Sequence, residues 1–138
     1  MHQVRKDGLK ALLNPALDER GLLAVVDVGQ PVNVSGIEAQ VEGAIIDGIG
    51  AAFFGDVPIE SGRAQSKNFD DYRLIRNREA PRAIEVVIVP SRTRPTGIGE
   101  IGIPPIAPAV ANAIAAATGT RLRQMPFMKS GFLLVPGS

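Results

Sequence analysis

Apolar positions fall into two kinds of run along this chain. Leu22 to Val28 and Ile84 to Val89 are short, rich in β-branched residues and bounded by glycine or proline, and they predict strands at 22–28 and 84–89, the first of them buried. Between them Ile37, Val41, Ala44, Ile45, Gly48, Ile49 and Ala52 recur at helical spacing, which predicts an amphipathic helix over 36–54. Ser35 followed three residues later by Glu38 reads as the capping box that starts it. A hairpin is expected at 57–60 and 63–66 around Glu60-Ser61-Gly62. A second helix is expected at 104–118. It is apolar nearly all round, the pattern of a helix inside a larger structure. Pro104 and Pro105 suit its start and Gly119 its left-handed C-cap. Asn112, its one polar interior side chain, would need a buried partner. Arg121 to Phe127 reads as a short strand, and Leu9 to Leu17 as a weak helix stopped or kinked at Pro15. The fold class that results is α/β (α+β): a mixed sheet with two long helices packed on one face.

The segment ahead of the second helix holds the main candidate for chemistry. Glu100 sits among Gly97, Gly99 and Gly102, glycines that let the backbone turn sharply and let another molecule come close. Two roles stand open for the carboxylate: capping backbone amides of its own loop, or serving as an acid–base group. Gln40, Gly43, Asp47 and Gly50 form a second stripe on the first helix. Each glycine there costs roughly 1 kcal/mol against alanine, which makes sense where something packs against the backbone, either a neighbouring element or a ligand. Asp27 either faces a site or orders the turn after its strand, and the turn is favoured about two to one because Asx side chains so often bond amides just ahead of them.

Composition narrows the chemistry. The 138 residues suit one domain, and a net charge of +1 implies no strong field for nucleic acid or membrane. There is no cysteine, which excludes disulfides, thiolate metal sites and an iron–sulfur cluster held by this chain. The one histidine, His2, is expected to fray with the terminus, so no metal held by protein side chains is expected. No apolar run reaches the ~20 residues of a membrane span, and the chain is read as soluble, cytoplasmic or periplasmic. Arg73, Arg76, Arg78, Arg82, Arg92 and Arg94 are interspersed with Asp70, Asp71, Glu79 and Glu85, which favours a solvated face over a phosphate site.

Gly97-Ile98-Gly99-Glu100, Pro104-Pro105-x-Ala107-Pro108-Ala109-x-Ala111-Asn112-Ala113-Ile114, Ala117-Thr118-Gly119-x-Arg121-Leu122-Arg123 and Pro126-Phe127 together resemble the C-terminal end of the molybdenum-binding large subunits of the xanthine dehydrogenase/aldehyde oxidoreductase family, with isoquinoline 1-oxidoreductase beta subunits as the nearest branch. Val26-Asp27-x-Gly29 with Asn33, Gln40-Val41-Glu42-Gly43, and Asn68-Phe69 with Tyr72 extend the likeness. Ile101 and Val34 depart from it, standing where the family often has proline. The resemblance covers residues 22–127 and divides the chain into a poorly matching leader at 1–21, a domain at 22–127 and a tail at 128–138 whose tip is expected to be mobile.

The resemblance implies that Glu100 is the general base at a molybdenum centre, that Gln40 and Gly99 lie beside the cofactor, and that the metal is held by the dithiolene of a pterin rather than by protein. The cofactor it implies is molybdopterin, in its cytosine dinucleotide form, completed only with further polypeptide. The reaction it implies is hydroxylation of an aldehyde or an N-heterocyclic aromatic carbon. Its partners would be the remainder of a large subunit and a 2Fe–2S small subunit. The resemblance leaves open whether Asn68 and Tyr72 touch cofactor or only hold a loop. Two alternatives stand beside it: a relict domain without catalysis, and an assembly module that kept the scaffold for an interface.

Overall fold

The computed structural model describes the backbone of residues 2–6, 9–13 and 21–134, and the side chains of 21–134. Six strands and two helices follow in the order β1 (His2–Lys6), β2 (Leu9–Leu13), β3 (Leu22–Val26), α1 (Val34–Phe54), β4 (Ile59–Glu60), β5 (Arg63–Ala64), β6 (Ile84–Ile88) and α2 (Ile106–Thr118), with single 3-10 turns at Asn77–Glu79 and Phe127–Ser130. Strands β1, β2, β3 and β6 form one sheet in that order. The first two pairings are antiparallel, and β3 pairs with β6 in parallel, Leu22 opposite Ile84 and Val26 opposite Ile88. The mixed sheet is therefore as expected, and β3–α1–β6 is a parallel βαβ unit.

Alternation places Leu22, Ala24 and Val26 on the buried face of β3. Onto them pack Ile37, Val41, Ile45, Ile49, Ala52 and Phe53 of α1 and Ile106, Ala109, Val110, Ala113 and Ile114 of α2. Every position of the predicted α1 stripe is buried. Ile45, Ile106, Val26 and Val41 are the largest fully buried side chains, each stabilising the fold by about 1.5–3 kcal/mol relative to exposure. Gly119 ends α2 in the left-handed conformation, φ 75°, its amide donating to the carbonyl of Ala115.

Several local expectations are corrected. The segment after Leu9 is strand β2 rather than a helix, because β1 and β3 both offer it a ladder, and His2 opens β1 rather than fraying. Helix α1 starts one residue ahead of Ser35. Its cap is Asn33, whose Oδ1 accepts from Gly36 N at 3.0 Å and from Ser35 Oγ at 3.1 Å, so Ser35 lies inside the first turn and the Ser35–Glu38 box is not the cap. Residues 121–126 form no strand, since among the described residues no strand pairs with them to complete a ladder. Asn112 is only half-buried, so water reaches it and no buried partner is required. The hairpin is present but short, with Ser61 and Gly62 both at positive φ, 49° and 75°. The tail's tip, 135–138, and part of the 1–21 leader lie outside the described residues.

Candidate functional site

Both loops that carry candidate residues leave the carboxyl ends of the two parallel strands, the end at which open α/β sheets receive ligands. After β3 the chain turns through Asp27 and Gly29. Asp27 Oδ1 accepts from Gly29 N at 3.1 Å, so this carboxylate orders the turn, the role favoured for it above. After β6 the chain runs alongside this turn. Gln30 N donates to Thr93 O and Thr96 N to Val28 O, each at 3.0 Å. Gly29 is at φ 71°, and a Cβ there would stand 2.3 Å from Arg94 O. The close approach of the two loops therefore requires glycine at this position.

The Glu100 loop then crosses α1. A Cβ on Gly102 would lie 2.6 Å from the Ala44 Cβ and 3.4 Å from Val41 O, and one on Gly48 would lie 3.1 Å from Ile103 O. Glu100 O accepts from Ile103 N at 3.1 Å, forming a tight turn into α2. The backbone two residues past Glu100 thus rests on α1 beside Val41, the residue next to Gln40. Glu100, Gly99 and Gln40 are all exposed. Among the described residues nothing covers that side of the loop.

Exposure separates the glycines. Gly48 and Gly50 are buried, packed against Ile106 and Ile75, so half of the glycine pattern on α1 serves internal packing. Gly43, Gly97 and Gly99 meet nothing within 4 Å. Among the described residues no group of three His, Cys, Asp or Glu side chains could hold a metal ion. The open backbone at Gly43, Gly97 and Gly99 leaves room for another molecule to lie against it.

Asn68 and Tyr72 lie in a stretch with hydrogen bonds of its own. Asn68 Oδ1 accepts from Phe69 N at 2.9 Å, and Lys67 N donates to Asp71 Oδ2 at 2.9 Å, so this stretch folds on itself. The arginines lie mainly on a solvated face, Arg78, Arg82, Arg92 and Arg94 all being exposed. Arg73 is exposed as well, but its head group is engaged. Its guanidinium lies 3.8 Å over the Phe54 ring and pairs with Glu79, whose side chain is 4 % exposed. The backbone N–H of Arg76 (2.9 Å) and then the Arg73 charge hold the Glu79 carboxyl below the usual carboxylate range, against the opposing effect of burial. The spacing of Arg73 and Glu79 gave no sign of this pair, because charges six apart in irregular chain carry no periodic signal.

A family model described as a molybdopterin cofactor-binding domain matches residues 18–81. The isoquinoline 1-oxidoreductase subunit beta of Brevundimonas diminuta is 38% identical over 101 residues, 73% of this chain and 13% of that protein. A membrane-bound aldehyde dehydrogenase (pyrroloquinoline-quinone) of Gluconacetobacter polyoxogenes is 36% identical over 105 residues, 76% of this chain. The chain belongs to the molybdopterin-binding large-subunit family. Its fold is shared with the Cu,Mo-CO dehydrogenase, at a TM-score of 0.61 and 23% identity over 85% of this chain and 14% of that one. The matched part of the chain spans only about one-seventh of the length of each of these proteins. Gln40 lies within the region matched by the cofactor-binding model; Gly99 and Glu100 lie beyond it. Among the described residues no helix is long and apolar enough to cross a membrane.

Proposed function

We propose that this chain is the C-terminal part of a molybdenum hydroxylase large subunit, with Glu100 as general base and with Gln40 and Gly99 against the cofactor. The reading rests above all on the Glu100 loop being joined to the Val28–Gln30 loop beyond the carboxyl ends of the parallel strands and packing on α1 at Val41 and Ala44. When bound, a molybdopterin, proposed in its cytosine dinucleotide form, supplies the metal and the two-electron redox chemistry. The amide of Gln40 can donate to a ligand oxygen, and the open backbone at Gly99 lets the cofactor lie close. The Glu100 carboxylate takes a proton at one of its oxygens during hydroxylation of an aldehyde or N-heterocyclic carbon. To do so it must come within hydrogen-bond reach of that proton.

Further polypeptide of the large subunit is needed to cover the exposed side of Glu100 and exclude water, and a 2Fe–2S subunit would carry the electrons away. The same covering polypeptide would complete the substrate pocket. The test is Glu100→Gln in the complete enzyme. Turnover should fall by at least about 100-fold, the lower end of what a general base contributes, with molybdenum content unchanged. Turnover retained at a full complement of metal would remove Glu100 from the mechanism.

A further inference from the structure

The loop that bears Glu100 is tied down on both sides of that residue. Ahead of it, Thr96 N donates to Val28 O at 3.0 Å, and Ile98 packs half-buried against the core. Behind it, Ile101 packs against the same core, Gly102 is buried, and Ile103 N donates to Glu100 O at 3.1 Å. The exposed carboxylate thus stands between two anchored isoleucines. The second anchor has a hard floor. Gly102 lies directly on α1, where an added Cβ would stand 2.6 Å from the Ala44 Cβ and 3.4 Å from Val41 O. Its φ lies outside the left-handed range, so space alone calls for glycine here. One turn on, Gly48 makes room in the same way for Ile103 O and the Ile106 side chain, 3.1 Å and 3.0 Å from where its Cβ would be. Residues 102–106 therefore lie along small positions of α1, and at Gly102 a single methyl group, that of Ala44, separates the two backbones.

Ala44 stands four residues past Gln40, and positions four apart lie one above the other on a helix. The contact beneath Gly102 is therefore one turn from Gln40. On the reading of Glu100 as general base, we propose that Gly102 and Ala44 are positioning residues. Their contact fixes how far the Glu100 loop stands from α1, and so the spacing between the acid and the Gln40 amide. Neither residue touches reacting atoms; both act through the loop. A Cβ at 2.6 Å has to move out to ordinary contact at 3.4–4 Å. That lift is about 1 Å, and a misplacement of such a size can cost on the order of 100-fold in rate.

The test compares wild type, Gly102→Ala and the exchanged pair Gly102→Ala/Ala44→Gly in the complete enzyme. Turnover is taken per bound molybdenum, so molecules lost to unfolding do not enter. In Gly102→Ala, kcat should fall at least about tenfold with KM little changed. In the exchanged pair the methyl group has only changed sides, and kcat should return close to the wild-type value. Where Gly102→Ala yields too little folded enzyme, Ala44→Ser thickens the contact from the helix side, with the same loss expected. Hydrogen exchange on the same proteins freed of molybdenum gives a readout without catalysis. In Gly102→Ala the amide of Ile103, bonded to Glu100 O, should speed up at least about tenfold more than that of Val89, bonded to Val26 O, and should recover in the exchanged pair. An unchanged kcat per molybdenum overturns the proposal, as does a loss that the exchanged pair fails to restore or an Ile103 amide that merely follows Val89. Glu100→Gln separates this failure from that of the underlying reading. Turnover retained there removes the base, and the positioning role with it. Turnover lost there but kept in Gly102→Ala leaves the base in place and removes only the positioning role.

Discussion

The Glu79 carboxylate fastens the excursion that follows α1 back onto the helix it has just left, through the amide of Arg76 and the Arg73 guanidinium lying on Phe54. Its folded-state proton affinity is lowered. The stability it contributes is therefore full above the ordinary carboxylate range and is lost as pH falls through the lowered folded value. Urea midpoints of wild type and Glu79→Gln should converge on acidification below about pH 4; parallel curves would show that the ion pair is not coupled to folding. Two glycines make a second comparison at this scale. Gly102→Ala drives a Cβ into that of Ala44 and should destabilise the chain by about 1–3 kcal/mol. Gly43→Ala meets nothing and should stabilise α1 by up to about 1 kcal/mol. Denaturant titration of the two variants reads both signs. Sequence spacing grouped these glycines with others that behave differently, because spacing reports where a residue sits on a helix and not what approaches it.

Elements were legible where periodicity was long. The apolar stripe of α1, the all-round apolar α2 and the β-branched runs of β3 and β6 all appear where the pattern placed them. Where a single local contact decides the outcome, the pattern gave less. Asn33 took the cap from Ser35 because its side chain reaches Gly36 N from outside the helix, and β2 became a strand because two neighbours could pair with it. The segment after α2 illustrates the same limit. It is held by side-chain packing: Phe127, almost fully buried, meets the Phe53 ring edge-on at 5.4 Å. Phe127→Ala should cost about 3–5 kcal/mol, visible as a lowered melting temperature. An unchanged melting temperature would mean that the segment is not anchored there.

At the scale of the whole molecule, the candidate site is half of an enclosure. The loop bearing Glu100 and the helix bearing Gln40 are positioned by this chain, yet both side chains are exposed, and the matched part spans only about one-seventh of the relatives. The placement of Glu100 on a glycine loop before α2 was readable from sequence. Its exposure was not, because exposure depends on chain that lies elsewhere. The paired amides between Val28–Gln30 and Thr93–Thr96 carry one more implication. Two segments far apart in sequence are laced into a single ribbon, one end entering the first helix and the other leading to the carboxylate. Pressure on either by an incoming molecule would be felt by both, so the amide and the acid would shift as a unit rather than adjust separately.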